Sequence, residues 1–182
     1  LEDPAEQMEF WKKHLNTWRF RASLDGLFSV TALRSVYAPR FLDFLPKRLG
    51  AVMRGRMERC FANHPNGNNP YARSLLLGEL SDEPPPPEAK DVRLVQADAA
   101  SFLENQPAGS FDGFTLSNIL DGTDEVYRQR LFAAVQRAAS PNAVTVLRSF
   151  GDADAGSASD RAAEDRSMLW GSVLVRPASA LG

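Results

Sequence analysis

The sequence predicts an α/β protein with a helical first part and a mainly parallel sheet in its second part. Two observations carry this. Residues up to the proline run Pro84–Pro87 show apolar positions at three- and four-residue spacing. Beyond that run, short β-branched segments alternate with helical ones, the pattern of βαβ units. The expected organisation is a helical cap or insertion over 1–83, a proline-rich linker over 84–90, and an α/β portion over 91–182.

In the first part, Asp3 and Pro4 form a helix start, cap followed by first-turn proline. Phe10, Trp11, His14, Leu15 and Trp18 then mark one apolar helix face. A short helical piece over 30–37 ends before Pro39. Residues 40–62 read as one longer helix with an apolar stripe from Phe41 to Phe61, weakened by Gly50 and Gly55. The run His64–Pro70 is a dense turn cluster. Tyr71–Leu77 is a helix stopped by Gly78.

In the second part, Val92–Ala97 reads as a buried strand and Ala99–Asn105 as a helix. Phe111–Ser117 is a second strand. Thr123–Ala139 is an amphipathic helix with Val126, Leu131, Phe132 and Val135 inward. Ala143–Phe150 is a third strand, and residues 151–163 a mobile loop or frayed helix. Trp170–Val175 is a last strand, with no long helix before it, so an antiparallel edge pairing is expected.

Composition narrows the function classes. The 182 residues are 43% hydrophobic and 24% charged, ordinary for a globular chain, and the net charge of −2 makes no global case for nucleic acid. Charge is unevenly placed, however. Arg34, Arg40, Lys47, Arg48, Arg54, Arg56 and Arg59 stand against Asp43 and Glu58 alone. That block is either a solvated helix face or a face for an anionic surface such as phospholipid headgroups. The single cysteine, Cys60, excludes an internal disulfide; with His64 one turn on, it lacks a third orienting group for catalysis. Two histidines and one cysteine disfavour structural zinc. No run approaches the ~20 apolar residues of a membrane span, and Leu1 is followed by acids and proline rather than a leader sequence. The expected location is cytoplasmic, with peripheral contact to a membrane.

Ligands of open parallel sheets sit at the carboxyl ends of the strands. The residues there are Asp98 after the first strand, Ser117, Asn118 and Asp121 after the second, and Arg148 with Ser149 at the third. Asp165, Arg166 and Ser167 precede the last. Each also has a structural reading: Asp98 as a helix cap, Asp121-Gly122 as a turn, Arg148 as a partner of Asp165 rather than of a substrate carboxylate. There is no nucleophile–base–orienter set, no P-loop and no metal-ligand spacing. The residues by themselves describe a binding pocket, not a reaction.

Three segments in order add a resemblance. Asn69-Pro-Tyr71 with Leu76-Leu-Gly78, then Ser110–Asn118 with Asp121, then Asp165-Arg-Ser167 ahead of Leu169-Trp-Gly171 resemble the S-adenosylmethionine:diacylglycerol 3-amino-3-carboxypropyl transferases, the BtaA-like family of betaine-lipid synthesis. The resemblance spans most of residues 8–177. It implies a Rossmann-like methyltransferase fold, of which this chain is the C-terminal part of the sheet with a helical cap. S-adenosylmethionine as co-substrate would donate its aminocarboxypropyl group to a hydroxyl such as that of diacylglycerol, with no metal. By position, Asp98 and the Ala99 amide look like the adenine side, and Ser117 and Asn118 like the cofactor pocket floor. Asn69, Tyr71, Arg148, Arg166 and Ser167 look like acceptor-side residues, and Asp121 or Asp165 like the base. The basic helix over 40–62 would suit a lipid–water interface.

Family members also carry an upstream glycine-rich turn and a second strand ending in an acid, lying between the strands at 92–97 and 111–117. This sequence has neither, which implies a C-terminal portion that works with its missing N-terminal segment. Ordinary methyl transfer on the same fold, and a non-catalytic remnant acting as a partner, are the alternatives.

Overall fold

The computed structural model describes residues 1–78, 87, 91–152 and 160–182. The expected linker at 84–90 lies, Pro87 apart, outside the described residues, as does the centre of the loop expected at 151–163. The chain is mixed α/β, with a three-stranded mixed sheet.

Asp3 caps helix α1 (Pro4–Phe10) by accepting from the Ala5 amide at 2.9 Å. The helix continues into a single π turn, Trp11–Leu15, before Thr17 caps α2 (Trp18–Leu27). This break overturns the expected continuous apolar face. Trp11 is buried, but Phe10, Leu15 and Trp18 are exposed. The inward side is carried instead by Gln7, Trp11 and, beyond the break, Phe20 and Leu24. Gln7 is buried because its amide is satisfied, donating to the Phe61 and His64 carbonyls and accepting from the Asn66 amide.

The helix expected over 40–62 is two helices, α4 (Pro39–Phe44) and α5 (Leu49–Asn63), after the short α3 (Val30–Leu33). Pro46 divides them. Its ring disfavours helical backbone at the residue before it, and Leu45 is extended (ψ 145°). Gly50, which weakened the sequence pattern, serves packing: a Cβ there would lie 3.0 Å from the Asp25 backbone of α2. Helix α5 buries Met57, Cys60 and Phe61 against Trp11, Ala72 and Met168, forming a first core. Helix α6 (Pro70–Leu77) is capped by Asn69 and ended by Gly78 at φ 69°.

The second core belongs to the sheet. Asp98 caps α7 (Ala99–Glu104). Strand β1 (Phe111–Ser117) runs parallel to β2 (Ala139–Ser149), with α8 (Glu125–Ala138) as the crossover; β3 (Ser172–Pro177) pairs antiparallel with β2, as expected of the last strand. Leu131, Ala134, Val135 and Ala138 of α8 lie over Phe114 and Ala143. Val126, expected inward, is exposed, because the buried stripe runs one position later, along Tyr127, Leu131, Ala134 and Ala138.

The strand expected at Val92–Ala97 does not form. The run is exposed, Leu94 at 91%. A strand is stabilised by a neighbour that takes its backbone groups and covers its side chains, and the sheet order β1-β2-β3 leaves this run without one among the described residues.

Arg56 joins the two cores. Its guanidinium is buried and donates to the Leu169 carbonyl at 2.8 Å, the Phe150 carbonyl at 2.5 Å and the Asp152 carboxylate at 3.1 Å. Next to it on α5, Arg59 donates to the Trp170 carbonyl at 2.7 Å, while Arg54 pairs with Asp25. Three cations of the basic block, Arg54, Arg56 and Arg59, therefore have partners within the chain, while Arg40, Lys47 and Arg48 are exposed. Gly171 is part of the same joint: a Cβ there would collide with the Arg56 guanidinium and stand 2.5 Å from the Gly151 carbonyl.

Replacing Arg56 with Met orphans two carbonyls at this joint. The expected cost is about 2–4 kcal/mol in urea unfolding. Gly171→Ala is expected to destabilise through the same contact, so the double variant should lose less than the two single losses added together.

Candidate functional site

An open cleft of about 950 Å³ lies where the carboxyl ends of β1 and β2 meet the segment 161–170 and helix α6. Its size is within the range of small-molecule sites. It gathers Tyr71, Ser117, Arg148, Asp165, Arg166 and Ser167 from the sequence-predicted residues. Sequence reasoning missed Ser74, Leu75, Arg161, Glu164, Val173 and Val175 of the lining, and did not assign Trp170 a site role. Only the fold brings those residues to one place. Trp170 alone had a signal, lying in the Leu-Trp-Gly segment next to Asp165-Arg-Ser.

Parallel pairing sets Ser117 opposite Arg148, and the Arg148 guanidinium lies 3.4 Å from the Ser117 hydroxyl. Among the described residues Arg148 has no carboxylate partner; the expected pairing with Asp165 is not made. Asp165 is held by its own turn instead. It accepts from the Ser167 amide at 3.0 Å, the Ser167 hydroxyl at 2.8 Å and the Trp170 amide at 3.4 Å. Arg166 donates to the Asn68 carbonyl at 2.5 Å, and Arg161 pairs with Glu164 at 3.0 Å. Among the described residues Arg148 thus has only the Ser117 hydroxyl as a partner, which leaves its guanidinium suited to bidentate recognition of a carboxylate or phosphate.

Among the described residues, two non-glycine residues have left-handed backbone, Asn118 (φ 59°) and Met168 (φ 62°). Asn118 directly follows Ser117, and Met168 lies between Ser167 and Leu169, so both flank lining residues. Such backbone costs energy and persists where its surroundings over-determine it. The buried Met168 side chain, packed in the first core, does so for the Asp165–Trp170 turn.

The remaining predicted residues lie elsewhere. Asn69 is fully buried: it caps α6 and donates to the Arg166 carbonyl at 2.9 Å, so it positions the turn from Asp165 to Trp170 and does not line the cleft. Asp121 accepts from the Ser149 hydroxyl at 2.6 Å and the Phe150 amide at 3.0 Å, and lines a different, smaller cleft with Phe44 and Arg128. Both of its oxygens tie two strand ends together, and it shares no cleft with Asp165. Asp98 accepts from the Ser101 amide at 2.8 Å and lies 3.6 Å from Arg130; that amide, first of all, holds its carboxyl below the usual range. Neither Asp98, Ala99 nor Asn118 lines the large cleft. Arg148 can take a carboxylate at the large cleft, whereas Asp98, expected on the adenine side, caps α7.

Cys60 and His64 do not form a pair. The thiol lies between the Arg166 carbonyl and the Asn69 amide, and the imidazole meets the Ala163 carbonyl at 3.1 Å. Burial pushes the Cys60 thiol up from 9.0 to about 11. Among the described residues no group of histidine, cysteine and carboxylate side chains could hold a metal ion.

No family model, no curated protein and no solved structure matches this chain.

The raised Cys60 thiol yields a pH test. Its stabilising contribution is fully present below the unfolded-state pKa and is lost as pH rises through the folded value. Unfolding free energy is thus expected to hold up to about pH 9 and to fall between 9 and 11, with Cys60→Ser flattening that fall. Iodoacetamide is expected to leave native Cys60 unmodified at neutral pH, as measured by intact mass.

Proposed function

We propose that this chain is the acceptor-side part of an S-adenosylmethionine-dependent transferase with a Rossmann-like sheet, moving an aminocarboxypropyl group to a hydroxyl acceptor such as diacylglycerol. The observation that carries the reading is the convergence of its three resembling segments on one cleft. Asn69-Pro-Tyr71 and Asp165-Arg-Ser167 are about a hundred residues apart in sequence, yet Asn69 and Asn68 hold Arg166 through two hydrogen bonds. Ser117, from the third segment, lines the same cleft beside Arg148.

When bound, S-adenosylmethionine supplies a sulfonium, already a good leaving group. The task left to the chain is alignment and proton removal. Arg148 holds the carboxylate of the transferred group. Trp170 and Leu169 exclude water from one side, and Leu75, Val146 and Val175 supply an apolar wall for the acceptor's body. Asp165 takes the acceptor proton, its position fixed by the Ser167 and Trp170 amides. One observation favours a second reading, a binding partner without catalysis: Asp98 and Asp121 are both occupied by structural hydrogen bonds.

Titration calorimetry with S-adenosylmethionine, followed by product analysis with dispersed diacylglycerol, separates these readings. The expected product is methylthioadenosine; S-adenosylhomocysteine would indicate methyl transfer, and absence of binding by the full-length protein would indicate the partner role. Arg148→Gln is expected to weaken binding at least tenfold. Asp165→Asn is expected to lower kcat about a hundredfold or more with little change in binding, whereas Asp121→Asn is expected to act mainly on stability.

A further inference from the structure

We propose that the segment 27–48 is a docking surface for a bilayer carrying anionic headgroups. Its sequence contains Arg34, Arg40, Lys47 and Arg48 against Asp43, a net charge of +3 in a chain whose net charge is −2. All four cations are exposed. Among the described residues none of them has a carboxylate partner, in contrast to Arg54 and Arg56 immediately beyond.

The same segment exposes large apolar side chains: Leu27 at 63%, Val30 at 51%, Val36 at 74% and Tyr37 at 46%. These are not loose ends of an unfolded stretch. Phe41 packs edge-on against Phe150, with Phe44 beside it, and the Arg40 carbonyl and Phe41 Cα lie close over Gly122. The inner side of α4 is thereby fixed to the loop after β1, and α3 and α4 meet around a groove of about 200 Å³ lined by Val30, Leu33, Leu42 and Lys47. What faces outward is a rigidly mounted surface of apolar and cationic side chains.

That combination discriminates between occupants. A second copy docking through the same segment would set these four cations against their own counterparts. An interface of acyl chains and anionic headgroups takes both kinds of side chain: Val36 and Tyr37 enter the headgroup region while the arginines and Lys47 stay at the phosphates. The proposal does not rest on the cleft's ligand, and its test uses no S-adenosylmethionine.

Co-sedimentation of the full chain is measured with phosphatidylcholine vesicles, with and without phosphatidylserine. Stronger pelleting with phosphatidylserine, falling as salt rises, is the expected result. Arg34→Glu/Arg40→Glu is expected to weaken it by roughly fivefold or more per cation, and Val36→Ser/Tyr37→Ser to weaken it at unchanged salt dependence. Because all four side chains are exposed, both variants should keep the parent's circular dichroism and melting temperature; were one to lose them, the salt and headgroup dependence of the parent chain decides alone. No pelleting with phosphatidylserine, equal pelleting with pure phosphatidylcholine, or retention on heparin without vesicle binding would overturn the proposal.

Discussion

The placement of a buried guanidinium between two cores is the constraint on which the rest of this molecule depends. Removing an arginine from water costs several kcal/mol, and that cost is offset only where acceptors surround it. Arg56 finds them at the Phe150 and Leu169 carbonyls and at Asp152, with the Phe150 ring 5.8 Å away. Desolvation holds its pKa below the ordinary arginine value, and the contact with Asp152 works in the opposite direction. Since the acceptors lie at the end of β2 and on the turn before β3, one side chain of α5 sets the distance between helical part and sheet.

The cleft is a consequence of that joint. Arg56 and Arg59 draw the backbone of 169–170 toward α5, while Asn69 at the start of α6, together with Cys60 of α5, holds Arg166. The turn from Asp165 to Trp170 is thus gripped at both ends and stands off from the strand ends, leaving the space in which Arg148 lies. Met168 accepts a left-handed backbone there because its side chain is buried.

The sheet is the least complete part of the structure. Beneath α8 it is well packed, but Val144 and Val175 on its other face are 44% and 39% exposed, and the apolar run at 92–97 is unpaired. β-branched side chains on both faces are the composition of a strand meant for burial on both sides. Among the described residues the run at 92–97 pairs with no edge, whereas β2 is paired on both sides and has one face uncovered.

Local chemistry was legible from the sequence. The bounds of β1, the helix α8, the caps Asp3 and Asp98 and the stop at Gly78 follow from propensity, periodicity and capping, which act within a few residues. So did the strand-end position of Ser117, Arg148 and Asp165, because alternation of strands and helices implies where a cleft opens. What only the tertiary structure decided involves partners far apart in sequence. Arg56 reads as one charge in a basic run until Leu169 and Phe150 arrive more than ninety residues later. Asp121 reads as a candidate base until Ser149 and the Phe150 amide take its two oxygens. The burial of Gln7 was open for the same reason: a polar residue is placed by the groups that satisfy it, and those groups are named by the fold.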